Sequence, residues 1–504
     1  MKKVVLFLLL VLMSLSAIFA QEPEAVEDNQ EKKTKIIKDQ PIINKLQTIA
    51  KDGILMFQSS NDKFRVWFDV RVQVDGSVFV GAPEYADKIG NGMNIRRARW
   101  AIRAQLDNKW YGEIDTDWTS GRPEIRDAII AYNGIPGLDI RVGNFKENFS
   151  LQLNSSSRYL LFMERPMVTS LAPARHLGIN ATYYYKWIWA SGGIFGPALK
   201  DAEVMKQMQD YNRIYGMNEG LAYTGKIVYR PLYKLDYASL HIGAAYSYRN
   251  IKTTSFDIES YGNLLEDYKD DIDEGKFKSF DLLGTSMSSR AGTNINRKKY
   301  LDIGELIGVD YETVWTAELI GHWKGFCGEA AYIARTAHMD PAVNAVVYST
   351  NRFDKFTGDG WYIQSSYLLF GGHHDYNLDD AKYTRITPGR KWGDIELAAR
   401  FQTMDLNDAK FDSNGVFISG ITGGKANMYE FGINYYPSKN VKMMLNYSFI
   451  DQDKYANGSG MDEGIYSIGY KGDERTKKSS EVNLTGMKGG VDYHMLSMRF
   501  QVIF

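Results

Sequence analysis

The sequence predicts an all-β fold, a transmembrane antiparallel β-barrel of about sixteen strands with short turns at one end and long loops at the other. Three observations predict it. FRVWFDVRVQV, Phe64 to Val74, carries Phe64, Val66, Phe68, Val70, Val72 and Val74 on one face and Arg65, Asp69, Arg71 and Gln73 on the other, broken only by Trp67. The connections between such segments alternate between tight and long. The chain ends on HMLSMRFQVIF, with Leu496, Met498, Phe500, Val502 and Phe504 on one face and Ser497, Arg499 and Gln501 on the other. A soluble sandwich also has two-faced strands, but it needs neither the alternation of connections nor the terminal aromatic.

MKKVVLFLLLVLMSLSAIFA, residues 1–20, has a basic start, an apolar centre and Ala20 before Gln21, and reads as a secretory signal peptide. Residues 21–62 are charged, with an apolar patch from Ile42 to Ile54, and read as a periplasmic extension, partly disordered and helical around Ile43 to Lys51. Residues 63–504 are the barrel, with strands beginning near residues 64, 95, 110, 125, 138, 179, 188, 221, 237, 313, 325, 360, 393, 428, 441 and 493. On the short side the turns are Asp107 to Lys109, Asn133 to Gly137, Arg230 to Asp236, Gly321 to Gly325 and Pro437 to Asn440. On the long side are Lys146 to Gly178, Pro197 to Gly220, Asn250 to Glu312, Ala337 to Asp359, Leu406 to Asn427 and Asp451 to Asp492. Gly371 to Gly393 is the exception, a long connection on the short side.

Composition fits this class, with 33 Tyr, 24 Phe, 10 Trp and 46 Gly against 12 Pro. No apolar run is long enough for a membrane helix, so strands must do the crossing. The lone Cys327 leaves no internal disulfide, and stability rests on packing and hydrogen bonds. With 60 Lys+Arg against 61 Asp+Glu, a nucleic-acid partner is disfavoured and overall charge gives no anion preference.

Apolar rows facing lipid turn the opposite rows to the lumen. These give Arg65 and Arg71 on the first strand, Arg97, Arg99 and Arg103 on the second, and Arg141, Arg400 and Arg499 later. A row of guanidiniums in a narrow channel can pass an anion along, because each offers several donors and stays protonated. The third strand, WYGEIDTDW, sets a rival reading. Pairing residues whose numbers sum to 216 places Arg103 opposite Glu113 and Arg99 opposite Asp117, a wall of paired ions, and leaves Arg97 opposite Thr119 and freer. Both readings are open for Arg99 and Arg103.

IRRARWAIRAQLDNKWYGEIDTDW, RDAIIAYNGIPGLDIRVGNFKENFS, MERPM and ARHLGI, followed by GDIELAARFQTMDL, MYEFGINYYPSKNVKMMLNYSF and the terminal RFQVIF, resemble in order and spacing the phosphate-selective porin O and P family. The resemblance covers about Phe64 to Phe504. It implies a sixteen-stranded outer-membrane barrel, a homotrimer in contact with lipid, and interior Arg and Lys residues that guide small anions such as phosphate. A terminal aromatic like Phe504 resembles the signal such barrels present to the barrel assembly machinery. Asn148 departs from the family pattern, which carries Pro there, and neither the acidic extension nor the loop Asn250 to Glu312 has a place in it. The third external loop, residues 146–178, is then expected to fold inward and narrow the pore, carrying Lys146, Arg158, Arg165 and Arg175 against Glu147 and Glu164. Arg165 beside Glu164 reads as an internal pair that pins this loop to the wall.

No spacing suggests a catalytic triad or a phosphate-binding glycine loop, and no cofactor is expected. His373 and His374 are adjacent, so on a strand they point to opposite faces and make a poor metal site. Tyr435 and Tyr436 at a strand end read as membrane-interface anchors rather than a sugar slide. Passive diffusion of small solutes, phosphate-like anions first, is the leading expectation. Alternatives are a mixed-charge pore for sugars or other organic solutes, an outer-membrane barrel enzyme, and a soluble carbohydrate-binding β protein.

Overall fold

The computed structural model describes residues 46–51, 54–81, 89–199, 219–250, 258–290, 292–295, 299, 301–349, 352–411, 413, 417–453, 467–468, 475–476 and 492–504. Residues 1–20, and the extension as far as residue 45, lie outside the described residues.

Sixteen strands form the wall. They are β1 (Phe64–Val80), β2 (Gly92–Leu106), β3 (Trp110–Asp117), β4 (Glu124–Ile135), β5 (Leu138–Lys146), β6 (Arg175–Tyr185), β7 (Ile188–Phe195) and β8 (Ala222–Tyr229). The second half is β9 (Ala238–Asn250), β10 (Val309–Trp323), β11 (Phe326–Met339), β12 (Lys355–Leu368), β13 (Asp394–Phe411), β14 (Phe417–Ser438), β15 (Val441–Asp453) and β16 (Tyr493–Ile503). Each pairs antiparallel with its neighbour in sequence, and β16 pairs with β1 from Ile503↔Arg71 to His494↔Val80. The wall is therefore closed and has no free edge.

Burial inverts the pattern of a soluble core. Along β1 the buried residues are Asp69, Arg71, Gln73, Asp75 and Ser77, while Val78 and Val80 are exposed and Val70, Val72 and Val74 lie between. On β16, Arg499 is fully buried and Leu496, Met498, Phe500 and Val502 are exposed. Such an exterior is stable only against hydrocarbon. Aromatic side chains ring both ends, with Trp110, Trp187, Trp323, Tyr367, Trp392 and Phe504 exposed near the turns and Trp118, Tyr223, Trp315, Trp361 and Tyr429 near the loops. No helix among the described residues is long and apolar enough to cross a membrane, which says nothing about strands.

Register follows the expected sum, with Arg103↔Glu113 and Arg99↔Asp117. Three boundaries differ from expectation. Leu46–Lys51 is a strand paired with Ile54–Ser59, not a helix, because Met56, Phe57 and Gln58 continue the ladder beside Trp67, Val66 and Arg65 below the reach of β16. The connection expected at 406–427 is largely strand, since β13 and β14 run on as a paired ribbon to Phe411↔Phe417 and accommodate register shifts. β6 begins at Arg175, shortening the third external loop to residues 147–174.

Two connections fold into the barrel. Residues 147–174 bury Phe149, Leu151, Met163, Met167, Val168 and Leu171, and pack at the outer end against the hairpin of Gly284–Ser289 and Leu301–Ile307. From the turn side, residues 369–393 form a hairpin whose strands, His373–Asn377 and Lys382–Thr387, pair with each other. Its root is fixed by Asp394, whose carboxylate accepts from Phe370, Gly372, Gly389 and its own neighbour Ile395. The expected exception to the short turns is thus a lumenal element.

Candidate functional site

A break in parity on β2 builds the site. Met93 and Ile95 face outward, but from Ala98 onward the outward positions are even-numbered. The ladder runs from Gln73↔Arg97 to Val74↔Ile95, so Arg96 is the extra residue of a bulge and turns inward beside Arg97. Arg96 donates to both oxygens of Glu164 at 2.5 and 3.1 Å, and Arg97 donates to Gln73 at 2.7 Å and lies 3.8 Å from Glu164. Arg97 is buried and held, which corrects the expectation that it is freer than its neighbours. A second bulge on β4, between Asp115↔Asp127 and Thr116↔Ile125, adds Arg126 to the chain in the same way.

Glu164 is the hub of the third loop. Burial works to raise its carboxyl, but the charges of Arg96 and Arg97 outweigh burial and hold it below the usual carboxylate range. Arg499, clamped onto Asp75 at 2.6 and 2.7 Å, also reaches Glu164 at 3.3 Å and the Met163 carbonyl at 2.6 Å. The pin between loop and wall is therefore Glu164 with wall arginines. Arg165, expected to be its partner, donates instead to the loop carbonyls of Gln152 and Ser155. Further wall groups hold the loop backbone: Gln402 accepts from Met167, Asn446 from Met163 and Glu318 from Leu151, while Lys442 donates to Leu160 at 2.7 Å.

Between this loop, the β1 to β7 wall and the tip of the turn-side hairpin lies a cavity of about 620 Å³. Arg71, Arg97, Arg99, Arg103, Arg141, Lys146, Arg158, Arg165 and Arg175 all line it, nine of the twelve cations expected from the sequence. Lys382 adds a tenth, against Glu113, Asp115, Asp127, Asp139, Asp379 and Asp380. The other three stand elsewhere. Arg65 sits at the turn-side rim, Arg499 anchors the loop, and Arg400 binds Glu430, donates to the Glu164 carbonyl at 3.1 Å and stacks 4.4 Å from the centre of the Phe162 ring.

Most lining cations have partners. Arg99 holds Asp117 at 2.7 Å, Arg175 grips Asp127 at 3.0 and 2.8 Å, Arg141 meets Asp139 at 3.2 Å, and Arg103 contacts Asp69 and Glu113. Arg158 also reaches Asp69. Arg71 donates to Ser157 Oγ and Lys146 to the Ser155 carbonyl at 3.3 Å, both of them neutral loop acceptors. Burial lowers the Arg158 and Arg165 guanidiniums, and Arg175 and Arg99 add like-charge repulsion at Arg165. A crowded, desolvated cation is relieved by an arriving anion, and that is the chemistry the cavity offers. Glu113, Asp115 and Asp127 lie close enough to share an ion, but Glu113 and Asp127 are committed to Arg103 and Arg175.

His373 and His374 point apart, His373 exposed beside Asp375 and His374 buried 3.4 Å from Glu396. Tyr435 donates to the Trp392 carbonyl at the exposed rim, but Tyr436 is buried and donates to Glu396, which corrects the expectation that it is an interface anchor.

A closed sixteen-stranded barrel with an apolar exterior, a charged interior and a loop laid across its lumen is an outer-membrane porin. The family model for phosphate-selective porin O and P matches residues 66–471, and the chain belongs to that family. It is 24% identical over 433 residues to Porin O of Pseudomonas aeruginosa, covering 82% of this chain and 90% of that one. It is 26% identical over 355 residues to an uncharacterized protein of Aquifex aeolicus, 68% of each chain. Among solved structures it is similar to the anion-selective porin from Comamonas acidovorans (TM-score 0.46, 10% identity, covering 88% of this chain and 100% of that one). It is likewise similar to the trimer form of OmpT from Vibrio cholerae (TM-score 0.45, 10% identity, 87% and 100%).

Proposed function

We propose that this porin is a non-enzymatic, anion-preferring diffusion channel, homotrimeric in the outer membrane, with inorganic phosphate as its characteristic solute. The observation that carries the reading is the cavity beneath the third loop, where ten cationic side chains meet six carboxylates. The solute passes among Arg71, Arg99, Arg103, Arg158 and Arg165, each offering several donors in a fixed fork. The description of its family as phosphate-selective supports the choice of solute. Residues 1–20 serve as the export signal, and the β16 strand ending at Phe504 is the segment that the barrel assembly machinery reads.

The test is the reversal potential of purified protein in a planar bilayer under a potassium chloride gradient, repeated with phosphate. Anion selectivity with chloride current blocked by phosphate is the expected result. Cation selectivity, or no block, makes the arginines paired wall residues. A second reading, a pore for organic solutes, draws on Tyr111, Phe145, Tyr159, Tyr184 and Trp189 in the same lining. It predicts faster liposome swelling in a small sugar than in a phosphate salt of matched osmolarity.

A further inference from the structure

The cavity is not uniform along the barrel axis. Away from the hairpin its lining holds eight of the ten cations against three of the six carboxylates, Glu113, Asp115 and Asp127. Among the lining residues at the hairpin the balance reverses, Asp139, Asp379 and Asp380 outnumbering Arg141 and Lys382, while Arg230 stands outside the lining on the Leu378 carbonyl behind the tip.

The tip is a rigid mount for these carboxylates. The Asn377 side chain accepts from the backbone N–H groups of Asp379 and Asp380 at 2.8 and 3.2 Å, closing a tight turn, and Ala381 takes a left-handed φ of 48°. Trp189 of β7 donates its indole N–H to the Asp379 carbonyl at 2.9 Å, and Arg230 donates to the Leu378 carbonyl. Asp380 pairs with Lys382 at 3.2 Å. The Asp379 carboxylate has no cation partner among the described residues, and desolvation and Asp380 raise its pKa against the pull of Arg230.

We propose that Asp379 and Asp380 make the pore electrostatically bipolar, so that it conducts anions more readily toward the periplasm than outward. The inference rests on the anion-preferring reading of the same cavity. When the field drives anions in from the arginine side and cations in from the carboxylate side, each enters where fixed charge favours it, and carriers accumulate in the cavity. The opposite field depletes both. The pore stays passive, and net flux at equilibrium is zero. The effect requires that fixed charges reach across the passage, so it depends on a screening length of about 10 Å in 0.1 M salt and about 3 Å in 1 M.

Single-channel currents of the purified full-length porin at equal positive and negative voltage, in symmetric 0.1 M potassium chloride, test this. Every channel carries N133C in a C327S background, a neutral turn-side position of the same lining that leaves Asp379 and Asp380 in place, and the side from which an impermeant charged thiol reagent alters the current after each recording fixes its orientation. The expected result is a larger current with the periplasmic side positive, which loses its asymmetry in 1 M salt and in the D379N/D380N double variant. D379N alone, which keeps the Asp380 to Lys382 pair, reduces the asymmetry, and a heat-modifiable shift on a gel verifies that each variant is folded. Symmetric wild-type currents at 0.1 M, an asymmetry of opposite sense, or an asymmetry untouched in the folded double variant overturns the proposal. The wild-type reversal potential reports separately on anion preference, so an anion-selective but symmetric channel fails this inference alone.

Discussion

The two segments folded into the barrel are held by opposite means. The third loop is pinned by charge, through Glu164 among Arg96, Arg97 and Arg499 and through Arg158 on Asp69. The turn-side hairpin is held mainly by hydrogen bonds in which one partner is neutral. Trp189 and Arg230 donate to its carbonyls, Tyr376 meets His241 at 2.8 Å, and Tyr383 meets Ser239 at 3.2 Å. Removing one member of a buried ion cluster leaves the others uncompensated, whereas removing one neutral donor costs little more than that bond. The loop's place is therefore all-or-none, and the hairpin's can be adjusted.

The largest effect is expected from Glu164→Gln, which takes the carboxylate from the adjacent Arg96 and Arg97 while Arg499 keeps Asp75. It should cost about 3–5 kcal/mol, read as a lower unfolding midpoint in detergent and a noisier, larger single-channel conductance. An unchanged midpoint would mean that the backbone contacts of the loop suffice without the pin. Acid should act on the same carboxylate. Its folded pKa lies below the ordinary value of about 4.3, so its stabilisation is complete above that pH and is lost as pH falls toward the folded value. A wild-type midpoint that falls below pH 4 more steeply than that of Glu164→Gln would show this.

On the hairpin, Arg230→Met strips the Leu378 and Ile188 carbonyls of a charged donor and should cost about 1.5–3 kcal/mol. The sign of local loosening is new protease cleavage within residues 371–393 while the barrel still shows its heat-modifiable shift. Cooperative loss of the whole barrel instead would erase the contrast between the two segments. Arg65→Gln is the smallest change, expected to leave both stability and selectivity unaltered, because Arg65 stands outside the cavity and takes no part in either set of contacts.

All sixteen strands were legible in the sequence because their lipid faces had to be apolar at period two. The pairing of β2 with β3 was legible because a one-residue slip would have turned Trp100 and Ile102 inward. Nine site cations were legible for the same reason, since polar faces must look into the lumen. What a segment does inside the lumen was not. Nothing local distinguishes Glu164 from Arg165 as the pin, since the choice depends on Arg96 and Arg499, which lie 68 and 335 positions away. The hairpin tip was missed, although Gly371 to Gly393 stood out by length. Arg96 was missed despite a readable signal, the change from odd to even apolar positions between Ile95 and Ala98. The apolar patch after Ile42 misled, because short apolar runs suit a helix or a strand equally and only the ladder beside β1 decides.

The bulge at Arg96 also bears on how such a chain can change length. In a regular strand of this wall, deleting one residue turns every side chain on one side of the cut to the wrong face, placing charge in hydrocarbon at about 2–4 kcal/mol per midplane Arg or Lys. Deleting Arg96 would do the reverse, since Ile95, Arg97 and Ala98 would then alternate without interruption and Gln73↔Arg97 would lead directly to Val74↔Ile95. The same holds at Arg126. These bulges are joints at which a descendant can lose a residue, and a lumenal positive charge with it, while keeping both faces of the barrel in frame.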